Sequence, residues 1–172
     1  MKILEDIDFP FENDTELNKD IFSDAVDKIL QKWTFNFDYD IPYLCGYSVN
    51  GKIIYFDRHL PLVVIYQNKE YSITKALAVH ESDEKANEDH YPELSYQDCH
   101  QMALRKELNY VETILKLPID IYNEHCDKYI KIAGSEKLEK IPLDLDLKPY
   151  KNEEDWIKIK QMQLAQGEQN AL

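Results

Sequence analysis

A chain of 172 residues with 44% hydrophobic residues, 12 Tyr, 6 Phe and 2 Trp is long and apolar enough to fold as one domain around a real core. Its 20 Lys and Arg against 33 Asp and Glu give a net charge of −13, which repels phosphate backbones and argues against direct nucleic-acid binding. The longest apolar runs, such as Leu60 to Tyr66, fall well short of the roughly 20 residues of a membrane helix, and the N-terminus lacks a basic-then-apolar leader, so no membrane association and a cytoplasmic location are expected.

Residues 1–14 are acidic and broken by Pro10, and read as an N-terminal arm whose Phe9 and Phe11 pack onto the domain. A helix follows, capped by Asn13 or Asp14, with Leu17, Ile21, Ala25, Ile29 and Trp33 at helical spacing. Residues Tyr43 to Val49 and Lys52 to Phe56 flank Asn50-Gly51, the residue pair that supplies positive φ angles to a tight hairpin turn. A second hairpin is expected from Leu62 to Tyr66 and Glu70 to Ile73 around Gln67-Asn68-Lys69.

After Thr74 the apolar period changes from 2 to 3.6. The pattern predicts helices from Thr74 to about Asp89, from Ser95 to about Leu117, and from Ile119 or Asp120 to about Ala133, with Pro92, Pro118 and Gly134 at the breaks. Ser95 and Asp98 make an imperfect capping box. From Glu136 the chain reads as an extended connector through Pro149, leading to a last helix from about Asn152 with Trp156, Ile159 and Met162. The expected fold class is therefore α+β: a small antiparallel sheet of two hairpins and three to four strands, then three helices, with an N-terminal helix and a C-terminal tail helix. Residues 15–134 form the single domain, and 135–172 the connector and tail.

Cys45, Cys99 and Cys126 lie far apart with no CxxC pair, so neither a disulfide framework nor a cysteine-based zinc knuckle is suggested. The four glycines are isolated, which argues against a phosphate-binding loop, and there is no Ser or Cys nucleophile elbow. The chemistry concentrates instead in Val79-His80-Glu81-Ser82-Asp83-Glu84. A helix puts His80 and Glu84 on one face about one turn apart, near enough to share a metal ion. Ile73, Leu77, His80 and Glu84 form one stripe, so the face that points at the core becomes ionisable halfway along.

Glu81 lies about 100° around the helix from His80, where a carboxylate can take a proton from a metal-bound water without being a ligand. On the next helix Tyr96, His100, Ala103, Glu107, Tyr110 and Ile114 share a stripe, so a helix hairpin can set His100 opposite His80 and Glu84. That completes a His, Glu, His set for zinc or another divalent transition metal, with a fourth position open for water. Glu107 is two turns from His100 and too far to share its metal, which assigns it a supporting role with Arg58 or Arg105 as partner. His59, in Asp57-Arg58-His59-Leu60-Pro61, ends a strand and is a candidate further ligand or oxyanion-side donor, with Asp57 to orient it.

The helix His80-Glu81-x-x-Glu84, followed by a ligand on the next helix, resembles the zincin metalloproteases of gluzincin-like type over about residues 43 to 117. The resemblance implies His80 and Glu84 as zinc ligands, Glu81 as the residue that polarises the attacking water, and a peptide or protein substrate. Two departures stand out: Glu84 replaces the second His of the HExxH helix, and His100 stands where a downstream Glu is usual. The DRHLP segment before a VHExxE helix also looks like small phage or prophage proteins, a likeness that implies no activity.

Competing readings remain at each position. A slightly rotated helix would leave Glu84 in solvent and make His80 a hydrogen-bonded core histidine, and His100 a partly exposed helix residue. His90 suits a helix C-terminus, and His125 reads as structural. The run Glu81 to Asp89 is in part a solvated face, and Tyr71, Tyr110, Tyr122 and Tyr129 read as core or rim packing. Two further function classes stay open: an acidic inhibitor or adaptor that docks on a basic protein surface, and a structural protein whose metal only ties two helices together.

Overall fold

The computed structural model describes residues 16–135, 138–149 and 153–169. The expected arm over residues 1–14 and its Asn13 or Asp14 cap lie outside them. The fold is α+β, with two small sheets of three and two strands among the helices.

Helix α1, Glu16–Leu30, packs through Phe22, Val26 and Leu30. The expected stripe of Ile21, Ala25 and Ile29 faces outward instead, with Ile21 and Ile29 exposed. Both stripes have helical spacing, and the observed one sets Phe22 edge-on against Tyr110 at 6.2 Å.

Strands β1, Thr34–Tyr39, β2, Cys45–Tyr47, and β3, Ile53–Asp57, form a sheet in the order β1-β3-β2. The hairpin expected around Asn50-Gly51 is present as the antiparallel pair β2–β3. Its turn is looser than a two-residue turn. Gly51 alone carries a positive φ, of 65°, and its N–H reaches the Ser48 carbonyl at 2.9 Å. Strand β1 is an addition to the expected set, and it pairs with β3 in parallel, so this sheet is mixed rather than antiparallel. The tight turn belongs to the second hairpin. There Gln67 (φ 48°) and Asn68 (φ 60°) join β4, Val63–Tyr66, to β5, Lys69–Ser72, as a separate two-stranded sheet.

Helix α2, Thr74–His90, is the centre of the molecule. Ala76 through Ser82, Glu84, Lys85 and Asn87 are all buried, so the acidic run from Glu81 is largely enclosed rather than solvated. Its charges are matched accordingly: Lys85 reaches Asp89 at 2.5 Å, Asn87 donates to Asp83 at 3.0 Å, and Lys106 pairs with Asp83. Its Leu77 and the preceding Ile73 share a core with Ile54 and Phe56 of β3, each contributing on the order of 1.5–3 kcal/mol by leaving water.

Helix α3, Tyr96–Tyr110, runs against α2 and begins with a full capping box: the Ser95 hydroxyl accepts from the Asp98 N–H, and the Asp98 carboxylate accepts from the Ser95 N–H, each at 3.2 Å. The α-helix stops at Tyr110, short of the expected Leu117. Val111–Leu115 widens into a π-helical turn that ends at Lys116 in the left-handed conformation.

Helix α4, Ile119–Ser135, is latched to the β3–β4 loop by His125, whose ring nitrogen lies 2.8 Å from the Pro61 carbonyl. A second core joins Ile41 and Tyr55 to Ile141 and Leu145 of the connector and Ile159 of α5, Glu153–Gln169. The connector also lies along β2, with Asp146 donating its N–H to the Tyr47 carbonyl at 2.8 Å. Among the described residues no helix is long and apolar enough to cross a membrane.

Candidate metal centre

The α2–α3 hairpin brings together the three residues expected as ligands. One atom each from His80, Glu84 and His100 lies within 4.8 Å of the other two. The spacings are 3.1 Å from His80 Nε2 to His100 Nδ1, 2.7 Å from His100 Nδ1 to Glu84 Oε2, and 3.4 Å from His80 Nε2 to Glu84 Oε2. Atoms about 2.0–2.2 Å from a tetrahedral zinc stand about 3.3–3.6 Å apart, so this triangle needs only small adjustments to become one face of such a site. Ile73, Leu77, His80 and Glu84 are all buried, as the core-stripe register requires.

The other nitrogen of His80 is also engaged. Nδ1 lies 2.6 Å from Glu107 Oε2, and the opposite oxygen of Glu107 accepts the Tyr122 hydroxyl. A carboxylate behind a histidine fixes its tautomer and turns Nε2 toward the metal, the arrangement that ligating histidines use. Glu107 therefore has the supporting role read from its spacing, but its partners are His80 and Tyr122. Arg58 instead pairs with Asp40 and Glu139.

Three lone-pair atoms that face one another need a cation or protons between them. Burial opposes the charged form of His80, yet its hydrogen bonds to Glu107 and Glu84 outweigh this and hold its pKa well above the ordinary value. Burial also disfavours ionised Glu84, but hydrogen bonds and charge from His100 and His80 bring its pKa down to about 2. Both shifts favour a charged His80 facing an ionised Glu84. A metal ion would replace the protons and keep the carboxylate.

Glu81 is buried on the flank of α2 that faces β2, where its Oε1 takes the Cys45 thiol at 3.0 Å. Burial, then the charge of Glu84, push its pKa up to about 7 against the pull of His80 and Cys45. A carboxylate that titrates near neutrality is suited to take a proton from water and return it.

The structure does not bring His59 to this cluster. It groups instead with Asp40 and Asp57, its Nδ1 3.7 and 3.8 Å from their carboxylates. The physical reason is the direction of β3: the chain leaves the sheet at Asp57, beside the connector and not beside α3. There Asp40 accepts Arg58 at 2.5 Å and the N–H groups of Glu139 and Lys140 at 2.7 and 2.8 Å, while Asp57 accepts those of Ile41 and His59 at 2.8 and 2.9 Å. Asp40 thus staples the connector to the end of β1, and Asp57 ties the loop after β1 to the end of β3.

Three side chains at the centre were not singled out by motif. Tyr96 places its hydroxyl 3.4 Å from His100 Nδ1. Cys45 and Tyr47 are two residues apart on β2, so both point to α2. Cys45 meets Glu81. Tyr47 is fully buried, and its hydroxyl is the one buried side-chain polar atom among the described residues without a hydrogen-bond partner. The signal for Tyr96 was its place on the His100 stripe, whereas the β2 pair could be found only by knowing what lies beneath the strand. Comparison with family models, curated proteins and solved structures finds no match, so the reading of this centre rests on its own geometry.

Proposed function

We propose that the protein is a metal-dependent hydrolase, peptidase-like, in which zinc or a similar divalent metal is held by His80, Glu84 and His100. The observation that carries this reading is the triangle of ligand atoms with spacings of 2.7–3.4 Å, backed by Glu107 on the far nitrogen of His80. Two His and one Glu form a donor set that catalytic zinc sites use, leaving one position for water. When bound, the metal supplies a water acidic enough to lose a proton near neutral pH. Glu81 takes that proton as the water oxygen attacks a carbonyl carbon, and returns it to the leaving amine nitrogen when the carbon–nitrogen bond breaks. Three free cysteines fit a reducing compartment, which supports a cytoplasmic location.

The test is metal content of untagged protein together with the Glu81→Gln variant. About one equivalent of zinc is expected in both, with hydrolysis of a peptide library in the parent alone. A fully folded parent that takes up no zinc, cobalt or manganese would sink the reading.

A second reading draws on the charge of −13: an acidic inhibitor or adaptor, of the kind a phage or prophage encodes, that covers a basic protein surface. Exposed Trp156, Ile157 and Leu164 on α5 would lie at its interface. Such binding would weaken steeply with salt and survive Glu81→Gln.

A further inference from the structure

The C-terminal half of α2 gathers further negative charge one turn beyond Glu84. Glu88 follows Glu84 at i+4, and its side chain is only 7% exposed. The connector brings the buried Asp146 to the same corner. It runs antiparallel to β2, with Ser48 bridged to Leu145 and the Asp146 N–H donated to the Tyr47 carbonyl at 2.8 Å. Residues opposed in this way project to one face, so the Asp146 and Tyr47 side chains stand side by side on the face that looks at α2.

Glu84 is answered by His80 and His100. Among the described residues Glu88 is paired with a single cation, Lys148, whose Nζ lies 3.4 Å from its Oε2. That is longer than the roughly 2.7–2.9 Å of a firm charge-assisted bond. The Lys148 side chain is 61% exposed, so it reaches this corner from solvent, while its own N–H is held by Asp146 Oδ1 at 3.0 Å. Burial raises the pKa of Glu88, and Lys148 lowers it against the charges of Asp146 and Glu84. A different kind of observation points the same way. The Tyr47 hydroxyl is fully buried and has no hydrogen-bond partner, and after burial the charges that act on it are those of Glu84, Glu88, Glu81 and Asp146.

The chemistry of these groups selects the ligand. Among the described residues no third histidine, cysteine or carboxylate gathers with Glu88 and Asp146 within 4.8 Å, so the corner lacks the compact donor set of a metal site. An ammonium carries three N–H donors, enough for two carboxylates and one phenol oxygen, and it accepts oxygens spaced about 4.5–5 Å apart. We propose that Glu88, Asp146 and the Tyr47 hydroxyl form a binding site for a primary alkylammonium group, that of a lysine side chain on a bound polypeptide, with Lys148 as its tethered competitor. The incoming ammonium displaces Lys148 Nζ along the solvent path that the Lys148 stem marks, and donates to both carboxylates and to the Tyr47 oxygen. No metal at the His80 cluster is required.

The experiment uses full-length, metal-free protein, with the Tyr47 and Asp146 amide shifts followed by NMR as n-butylammonium is added. Saturable binding is expected, and tetramethylammonium, which has no N–H, should bind at least about tenfold more weakly. Lys148→Met keeps the exposed stem and removes the competitor, so it should tighten n-butylammonium by about tenfold. Glu88→Gln should weaken it by about 10- to 100-fold, the size of one hydrogen bond to a charged group. Nα-acetyl-lysine amide should bind as n-butylammonium does, and its rejection would overturn the assignment to a lysine side chain. Absence of saturation in both the parent and Lys148→Met would overturn the site itself. So would equal affinity for tetramethylammonium, which reports only the diffuse field of a chain of charge −13. Stoichiometric displacement of n-butylammonium by calcium would overturn it in favour of a metal. Because no zinc is needed, these outcomes are independent of the hydrolytic reading.

Discussion

Among the described residues two clusters bring three histidine and carboxylate groups within 4.8 Å of one another, and they differ in what their ligand atoms already do. Around Asp40, Asp57 and His59, both carboxylates accept backbone N–H groups and Asp40 also holds Arg58. Around His80, Glu84 and His100, three lone-pair atoms face one another, and the far nitrogen of His80 is tied back to Glu107. Proximity is the same. The second cluster is the better fit for a cation, because a metal there replaces protons shared among its own three side chains and leaves the bonds to the backbone intact.

The largest test of this contrast is removal of one histidine from each cluster. His80→Ala should abolish zinc binding, whereas His59→Ala should leave zinc affinity unchanged, both measured by competition with a chromogenic chelator. Glu107→Gln should fall between them, with affinity reduced by about 10- to 100-fold, because it orients His80 without touching the metal. Equal losses in His59→Ala and His80→Ala would erase the distinction between the clusters.

The helical half of this contrast was legible in the sequence, since the stripes through His80 and Glu84 and through His100 and Glu107 need only a period of 3.6 and a short helix hairpin. The other half was not. His59 sits two residues beyond Asp57 in a segment of strong local pattern, but Asp40 and Glu139, which hold the adjacent Arg58, arrive from positions 18 and 81 residues away from it. The parallel pairing of β1 with β3 is equally remote. Thr34 to Tyr39 does alternate aromatic and polar residues, so the strand itself was there to be read, but nothing local says which strand it joins. In α1 two stripes compete at the same spacing, and only the tertiary packing of Phe22, Val26 and Leu30 decides between them.

The staple should matter for stability rather than chemistry. Burial works against an ionised Asp40, but the N–H groups of Lys140 and Glu139 and the Arg58 guanidinium outweigh it and hold its pKa below the ordinary value. A carboxyl lowered on folding stabilises fully above its unfolded pKa, near 3.8, and that contribution is lost as pH falls through the lower folded value. Asp40→Ala should therefore cost on the order of 1–3 kcal/mol at pH 7 in urea unfolding, the penalty of leaving the N–H groups that Asp40 accepts without a partner. The gap should narrow below about pH 4, with zinc affinity unaffected throughout. A gap independent of pH would mean that the carboxylate charge contributes nothing.

The smallest expected effect concerns Tyr47, beside the cluster that better fits a cation. Burial, then the charges of Glu84, Glu88, Glu81 and Asp146, raise its pKa, so the hydroxyl keeps its proton and yet donates it to no neighbour. A buried hydroxyl without a partner costs about 1–3 kcal/mol in its own right, so replacing it with hydrogen should not destabilise the fold. Tyr47→Phe should change the unfolding free energy of the metal-free protein by less than about 1 kcal/mol, in either direction, while keeping the ring packed beneath β2. If instead the metal-free variant loses about 2 kcal/mol or more, an ordered water joins Tyr47 to the carboxylates of α2. The His80 cluster would then be as fully satisfied as the Asp40 staple, and its claim to a cation would weaken accordingly.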